Sequence, residues 1–441
     1  MQETMEQDTS RSTLHKVATA CFIGNFIEWF DYAVYGYLAI VISRVFFPYE
    51  DQTAGLLATF AIFAFSFVVR PLGGVFWGHQ GDRVGRRNVL SISILLMSAS
   101  TFGIALLPSY SSIGFVAPLL LCLCRLVQSF SASGEYAGSV IFIAEYAPKH
   151  QRGLYVGLIP ASTAIGLLAG ALCVALLQGM LEVDQLESWG WRIPFLIAAP
   201  MGIIGRYIRV NLEDTPEFSV FQSSGKTVQA PIVTLLRHYK RALLVLFGVT
   251  SLNAVGFYFL LSYMPTYLTA TLGVSFRLSV LVTIFTLMVY GVFVFFAGYL
   301  SDCFGRPRML MLASFAFIVL SVPVFSQLTA ASSLSLSLSA MMLIVPFFGL
   351  LLSINDGALA CFIAELFPVE IRYSGFAFGF NTVNALFGGT TPLVLTWLTD
   401  FTGEPLVPAY YLALVGLGAF GASACFYSTD NSITDPNTAS S

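Results

Sequence analysis

The sequence predicts an all-α polytopic membrane protein with twelve transmembrane helices in two homologous six-helix bundles. The 441-residue chain is 56 % hydrophobic and only 10 % charged, whereas soluble domains contain about 25 % charged residues. Its apolar residues fall into stretches long enough to cross a bilayer as helices. Two polar motifs recur along the chain at one fixed offset, which indicates a duplicated unit.

Twelve hydrophobic spans are separated mostly by short polar turns. They cover residues 17–42, 54–77, 89–107, 113–144, 153–178, 191–209, 242–266, 278–300, 308–328, 334–361, 372–398 and 409–427. The longest polar break divides them six and six. The predicted organisation is an N-terminal segment (1–16), a first bundle (17–209), a central loop (210–241), a second bundle (242–427) and a disordered tail (428–441).

The positions of lysine and arginine predict the orientation of the chain. With the N-terminus in the cytoplasm, sixteen bases fall in cytoplasmic segments and three in outer loops. Arg70 and Arg125 lie within spans, and Arg209 is counted among the cytoplasmic bases. Because positive residues concentrate on the cytoplasmic side, we expect both termini, the central loop and the tail to be cytoplasmic.

The first repeated motif is a polar loop that follows span two and, in its second copy, span eight. The first copy contains Gly78, Asp82, Arg83, Gly85, Arg86 and Arg87, and the second contains Asp302, Gly305 and Arg306. A second motif, Ala144-Glu145-Tyr-Ala-Pro148-Lys-His-Gln-Arg152, recurs as Ala364-Glu365-Leu-Phe-Pro368-Val-Glu-Ile-Arg372. Both pairs are offset by 220 residues, which predicts the parallel-repeat plan found in transporters.

The residue types of the first loop suit a conformational latch. Gly85 permits a tight backbone turn, and Asp82 can accept hydrogen bonds from a helix N-terminus or a base. The alternative is a simple anchor that keeps positive charge on the cytoplasmic side. That alternative explains the arginines but neither Asp82 nor the repeat of the motif.

Span one carries polar residues on one helical face. Asn25, Glu28, Asp31 or Tyr32, and Tyr35 follow one another at helical spacing. Each ionised acid near the bilayer centre costs about 2.5–3.5 kcal/mol on insertion scales. The face therefore needs water, a partner or a substrate. Either these acids form ion pairs with another helix, or they line a polar pathway through the membrane.

Span four presents Arg125, Gln128 and Glu135 on one face. Arg125 and Glu135 are about 15 Å apart along the helix, too far to pair with each other. We therefore predict a network in which Arg125 and Arg70 pair with the acids Glu28, Asp31 and Glu135. If the pairs are permanent, the acids stay ionised and are useless for proton coupling.

The second half offers further polar and aromatic candidates in spans seven and ten. Asn355 stands 220 residues after Glu135, and Asp356 follows it as a second proton site or a helix-end residue. Asn253, Phe257 and Tyr263 lie in span seven, where rings could face a quaternary ammonium group. With 15 % aromatic residues in the chain, ordinary packing also explains any single ring.

Metal and enzyme sites are not expected. The four histidines lie at or beyond the predicted helix ends, and the seven cysteines never form Cys-x-x-Cys. We find no nucleophile, base and metal set and no soluble domain of useful length. The sequence therefore predicts neither an enzyme nor a receptor, no metal, no cofactor and no nucleic-acid partner.

The loop Gly-x-x-x-Asp-Arg-x-Gly-Arg-Arg at residues 78–87 resembles the signature of the major facilitator superfamily, and the match covers all twelve spans. Several stretches are similar to its metabolite:proton symporter family. They are Gly24-Asn25, Glu28 to Asp31, Arg70 to Gly74, Arg125 to Gln128, Gly134 to Tyr136, Trp189 to Phe195 and Glu213 to Phe218. The segment 262–268 is similar to the branch that carries proline and glycine betaine. In the second loop, Cys303 replaces a base.

The resemblance implies a secondary active transporter that imports a small polar metabolite with protons by alternating access. It implies a zwitterionic compatible solute or amino acid such as proline or betaine. Symport of an organic acid (2-oxoglutarate, citrate or shikimate) and proton-coupled export remain alternatives. The protein is expected to work as a monomer in the inner membrane, driven by the proton gradient, with a substrate bound by spans one, four, seven and ten.

Overall fold

The described part of the chain is helical. The computed structural model describes residues 2–48, 52–223, 230–333 and 337–434. It forms two compact units, of which the first comprises Met1–Ala147, Ser162–Leu235 and Pro368–Asn381, and the second comprises Pro148–Ala161, Leu236–Phe367 and Thr382–Ser441. The units follow spatial contact, whereas the predicted boundary at the central loop follows chain order.

The predicted spans correspond to helices. Those of spans one to six are Gln2–Tyr37, Ala39–Phe46, Gln52–Arg83, Arg86–Leu106, Val116–Tyr146, Leu158–Met180 and Arg192–Val210. Those of spans seven to twelve are Lys240–Phe257, Phe276–Phe304, Arg306–Ser333, Ser337–Leu366, Arg372–Val383, Thr391–Thr402 and Val407–Thr434. Within the described ranges, ten helices are long and apolar enough to cross a membrane.

The two remaining predicted spans are bent or broken. Span one bends by 69° between its two helices. The second of these, Ala39–Phe46, packs against the start of span six, where the Phe46 and Trp191 rings lie 5.4 Å apart. Span eleven breaks at a π-helical turn, Asn384–Gly388, because this turn ends in a glycine and is followed by Gly389 and Pro392.

Span seven contains two π-helical segments. The α-helix Lys240–Phe257 continues as Tyr258–Tyr263 and Tyr267–Thr271, with a short α-helical turn between them. Pro265 lies in that turn and has no backbone N–H to donate, which disturbs the regular ladder. Such π-helical turns are frequent at functional sites.

The predicted loop and tail are partly helical. The central loop contains the short helices Pro216–Ser223 and Pro231–His238. The last helix runs to Thr434, past the predicted start of the disordered tail at residue 428. Residues 435–441 of that tail and the predicted start of span ten at residue 334 lie outside the described residues.

Glycines allow span five to approach the backbone of span one closely. A Cβ atom at Gly166 would lie 2.7 Å from the Phe26 carbonyl oxygen, and one at Gly170 would lie 2.7 Å from the Phe30 carbonyl oxygen. Neither position can carry a side chain without displacing the helix that bears Glu28 and Asp31. The close approach therefore fixes the position of the polar face of span one.

We expect Gly166→Ala to lower the stability of the purified protein by about 1–3 kcal/mol, because the added methyl group overpacks the contact with span one. The matched control is Gly179→Ala on the same helix, where a Cβ would meet nothing within 4 Å. That change should be neutral or stabilising by up to about 1 kcal/mol. Thermal unfolding in detergent measures both, and equal midpoints would contradict the packing argument.

Candidate functional site

The polar face of span one lies inside the first unit. Asn25 is fully buried, and Glu28 and Asp31 are each 2 % exposed. The Asn25 side-chain amide donates to the hydroxyl groups of Ser162 and Thr163 in span five, both at 2.8 Å. The predicted single face is thus present, and other helices of the unit contact it.

Glu28 pairs with Arg70 of span two. Arg70 Nη2 lies 2.8 Å from Glu28 Oε1 and donates to the Tyr32 hydroxyl oxygen at 2.6 Å. The Tyr32 and Phe67 rings lie 5.2 and 5.3 Å from the guanidinium carbon, within cation–π range. Glu28 Oε2 is buried and has no hydrogen-bond partner among the described residues. One oxygen of this carboxyl group is therefore left to accept a proton.

Asp31 pairs with Arg125 of span four. Its Oδ2 atom accepts from Arg125 Nη1 at 2.9 Å and from Gln128 Nε2 at 2.6 Å. Gln128 also donates to the Thr101 hydroxyl at 2.6 Å, and the Tyr35 ring lies 4.2 Å from the Arg125 guanidinium carbon. Asp31 Oδ1, like Glu28 Oε2, is buried without a hydrogen-bond partner in the described ranges.

Glu135 pairs with Arg209 of span six. Both terminal nitrogens of Arg209 contact the two carboxylate oxygens, and Arg209 also donates to the Leu90 and Ala20 carbonyl oxygens. Ser93 and Ser139 donate to the same carboxylate at 3.3 and 3.1 Å. Every oxygen of Glu135 is therefore bonded.

This pair corrects the predicted network. The expected partners of Glu135, Arg70 and Arg125, bind other acids. Arg209, near the end of the helix Arg192–Val210, is only 1 % exposed. Arg209 shares a helical face with the buried Gly202 and Gly205. Because a face of small residues packs closely against other helices, this spacing was the sequence signal that Arg209 is buried.

Three acids and three arginines thus form three neutral pairs in the first unit, and the pairs differ in completeness. Glu135 accepts at both oxygens, whereas Glu28 and Asp31 each keep one buried oxygen without a partner among the described residues. Burial of an unbonded charged oxygen is costly. Glu28 and Asp31 are therefore better suited than Glu135 to gain and lose a proton.

The second unit brings together most of its predicted candidates. Asp356 lies inside the helix Ser337–Leu366, so the helix-end alternative is wrong. It accepts from Asn355 at 3.0 Å and also from Asn253. Phe257 is buried beside this cluster, whereas the Tyr263 hydroxyl bonds to Thr396.

Each signature loop caps the N-terminus of another helix. In the first unit, Asp82 accepts from the backbone N–H groups of Tyr373 at 3.1 Å and Ser374 at 2.9 Å. In the second unit, Asp302 accepts from those of Gly153 at 2.8 Å and Leu154 at 2.9 Å. The capped residues are themselves offset by 220 positions, so the two loops perform the same structural task.

Basic residues and glycines complete the two loops. Arg86 and Arg306 approach the capping acids of their own loops at 3.4 and 3.0 Å. Gly85 and Gly305 have φ angles of 112° and 89°, which favour glycine. The remaining contacts are those of Gly78 with the backbone of Ser374, of Arg83 with His79 at 3.3 Å and of Arg87 with the Leu212 carbonyl oxygen at 3.0 Å.

The central loop adds contacts to the first signature loop that the sequence did not predict. Asp214 accepts from the backbone N–H groups of Arg86 at 3.2 Å and Arg87 at 3.4 Å. Burial raises the pKa of Asp214, and hydrogen bonds from the backbone of Thr215 act in the opposite direction. The ring of Phe218 lies 4.3 Å from the guanidinium carbon of Arg86.

Two carboxylates join the central loop to the start of span eleven within the same unit. Arg372 donates to Glu145 at 2.9 Å and to Glu217 at 2.6 Å. Thr215 also donates to Glu145. The motif Glu213 to Phe218, noted in the sequence only as a resemblance, therefore has a structural role. No group of three or more potential metal-ligating side chains occurs in the described part of the chain.

We expect Arg209→Met to destabilise the protein by about 3–5 kcal/mol, because it leaves the Glu135 carboxylate buried without its cation. Arg206→Met is the matched control, since Arg206 lies on the same helix but is exposed. Replacing both partners, as in Glu135→Gln with Arg209→Met, should recover part of the loss. Thermal unfolding of the purified variants measures all three, and equal stability of the two single variants would contradict the pairing.

We expect Asp82→Ala to raise amide hydrogen exchange at Tyr373 and Ser374 by about two- to thirtyfold, the equivalent of losing a helix cap. Exchange at Gly153 and Leu154 should stay unchanged. Asp302→Ala should give the reverse pattern. Mass spectrometry resolves the two peptides in one experiment, and a change at both helix ends in either variant would contradict independent capping.

Comparison with known proteins places these features in a family. The family described as "Sugar (and other) transporter" matches residues 16–234 and 220–432. The proline/betaine transporter of Escherichia coli K12 is 39 % identical over 414 residues, which cover 92 % of this chain and 81 % of that protein. The glycine betaine/proline/ectoine/pipecolic acid transporter OusA of Dickeya dadantii matches with the same identity and coverage.

A third relative and a solved structure extend the comparison. The ectoine/proline transporter ProP of Corynebacterium glutamicum is 35 % identical over 424 residues, 93 % of this chain and 83 % of that protein. The proton:xylose symporter XylE superposes with a TM-score of 0.76 over 95 % of this chain and 96 % of that one. At 17 % identity, this likeness shows the fold alone. It confirms the predicted major facilitator fold.

The family consists of transporters, in agreement with the expectation of transport rather than catalysis. The apolar helices and the relatives also agree on a multi-pass membrane protein. This chain belongs to the sugar (and other) transporter family.

Proposed function

We propose that this transporter imports a zwitterionic solute of the proline and betaine class together with protons. The observation that carries the proton coupling is the pair of acids in span one, Glu28 and Asp31, each bound to an arginine and each with one unbonded buried oxygen. The printed substrates of the relatives support the solute class. We further propose a monomer in the inner membrane with cytoplasmic termini and no cofactor.

Protonation is proposed to act by discharging an ion pair. A proton on Glu28 or Asp31 removes the negative partner of Arg70 or Arg125, which lowers the free energy needed to separate the helices that carry them. Glu135, with both oxygens bonded to Arg209, keeps its pair and holds spans four and six together. One proton moving with a neutral zwitterion carries one net charge. A potential of 100 mV then supplies about 2.3 kcal/mol, enough for roughly fiftyfold accumulation.

The neighbouring polar residues are proposed to orient these acids and to contact the substrate. Asn25, Tyr32 and Tyr35 already bond to or stack on groups of the first unit. Arg125 keeps Nε without a hydrogen-bond partner among the described residues, so this N–H group can donate to a substrate carboxylate. Gln128 holds Arg125 and Asp31 at fixed separation.

The two capping acids are proposed as the conformational latch. Asp82 and Asp302 each fix a helix N-terminus by two backbone hydrogen bonds. Each bond is weak enough to break and re-form during a transport cycle, because caps contribute about 0.5–2 kcal/mol. The contacts of Asp214, Glu145 and Glu217 add to the first latch.

Uptake into proteoliposomes with an imposed proton gradient tests the proposal. Labelled betaine and proline should accumulate, with alkalinisation of the outer solution, whereas 2-oxoglutarate, citrate and shikimate should not. Accumulation that survives collapse of the gradient would rule out proton coupling. Accumulation of the organic acids alone would refute the substrate class, and energised efflux from oriented vesicles would refute import.

Glu28→Gln and Asp31→Asn should lower accumulation at least tenfold in one or both variants while exchange of internal for external substrate continues. The physical reason is that exchange needs no net proton movement. Glu135→Gln serves for comparison and should reduce the yield of folded protein. Undiminished accumulation in both span-one variants would refute the proposed proton sites.

A further inference from the structure

Asp356 is a buried acid without a basic partner among the described residues. It is 3 % exposed and lies well inside the helix Ser337–Leu366 of the second unit. The buried acids Glu28, Asp31 and Glu135 of the first unit each contact an arginine. Since an isolated charge in an apolar interior is costly, Asp356 must either take up a proton or be paired with a positive group that the described residues do not supply.

The neighbours of Asp356 solvate its carboxyl group without neutralising it. The Tyr290 hydroxyl of span eight donates to Oδ2 at 2.7 Å, and the Asn355 amide donates to Oδ1 at 3.0 Å. Asn253 of span seven supplies a third hydrogen bond. All three groups are neutral, so the cluster of Asp356, Asn355, Asn253 and Tyr290 does not itself neutralise an ionised Asp356.

A second feature of the cluster calls for a hydrogen-bond donor. Asn355 is fully buried, and its Oδ1 atom has no hydrogen-bond partner among the described residues. This oxygen belongs to the residue next to Asp356. The cluster therefore combines a carboxylate without a basic partner and an amide oxygen without a donor among the described residues. A protonated amine, as in proline, can neutralise the first and donate to the second, whereas a quaternary ammonium group can only neutralise the carboxylate.

Aromatic rings lie beside the cluster. The ring centroids of Phe257 and Tyr290 are 6.3 Å apart, and those of Phe257 and Tyr258 are 5.5 Å apart. The π-helical segment Tyr258–Tyr263 begins at this point of span seven. A single carboxylate bordered by rings suits an organic ammonium group, which is attracted to both. A metal ion needs several hard oxygen ligands, and the cluster holds one acid.

We propose that the Asp356 cluster and the rings of Phe257 and Tyr290 bind the ammonium group of the transported zwitterion. This assignment deepens the proposed function and rests on it. Because Asp356 is buried, a ligand can reach its carboxylate only after the helices around it move apart. The π-helical turn next to Phe257 is the nearest irregular point at which span seven can bend.

Carbon isosteres of the substrate test the assignment. Replacing the nitrogen of glycine betaine by carbon gives 3,3-dimethylbutanoate, which keeps the shape and the carboxylate but lacks the positive charge. The purified full-length wild type should bind betaine at least about tenfold more tightly than this isostere. Asp356→Asn should remove that preference and leave the affinity for 3,3-dimethylbutanoate unchanged, whereas Asp356→Glu should retain most of it.

Controls separate the assignment from its rivals. Asp400→Asn, at an exposed acid of the same unit, should keep the wild-type preference. An unchanged preference in Asp356→Asn would overturn the assignment. Normal betaine binding with lost accumulation in this variant would also overturn it, because Asp356 would then be a proton carrier. Betaine binding that requires sodium would overturn it as well. Thermal unfolding shows whether each variant is folded. If Asp356→Asn does not fold, the assignment is tested by whether Asp356→Glu retains the preference for betaine.

A second isostere pair keeps the test independent of the transported substrate. If the wild type transports neither betaine nor proline, the proposed function fails, and binding of choline is then compared with binding of 3,3-dimethylbutan-1-ol. A preference for choline that Asp356→Asn abolishes supports the ammonium site by itself. Equal binding of the two compounds overturns it.

Discussion

The need to neutralise charge inside an apolar interior governs the first unit. Glu28, Asp31 and Glu135 lie within its spans, and each acid has its own arginine from another helix. Removing one partner of such a pair is costly, whereas the complete pair is tolerated. The pairs thereby fix the mutual positions of spans one, two, four and six. The same pairs are the elements that a proton can change, because protonation alters the charge of a pair without altering its shape.

Backbone N–H groups at the helix ends must likewise find hydrogen-bond partners. A helix begins with N–H groups that have no partner in the helix itself, and Asp82 and Asp302 each supply two of the missing acceptors. The acids come from loops distant in sequence, so capping also joins separate parts of the chain. The repeat of 220 residues preserves both the acids and the residues that they cap. Duplication has therefore kept the contact and not only the motif.

The sequence predicted the spans, the repeat and the polar face of span one, because hydropathy and helical period are local properties. It did not show that Arg209 is buried while Arg206 is exposed, since both occupy the same helix end and the only local signal was the small-residue face that Arg209 shares with Gly202 and Gly205. The π-helical segment Tyr258–Tyr263 depends on how span seven fits its neighbours, which no local pattern records. Nor could the sequence predict that the segments 148–161 and 368–381 each pack in the unit formed mainly by the other half of the chain.

The two units treat buried acids differently, and this asymmetry has a mechanistic consequence. The first unit is electrically complete in its interior pairs, so a proton entering there leaves a net positive charge. The Asp356 cluster of the second unit has no basic group among the described residues, so an ionised Asp356 carries an unpaired negative charge. If the ammonium group of a zwitterion binds there, the substrate and the proton neutralise different acids. Coupling follows when movement of the helices needs little free energy only with both acids neutralised.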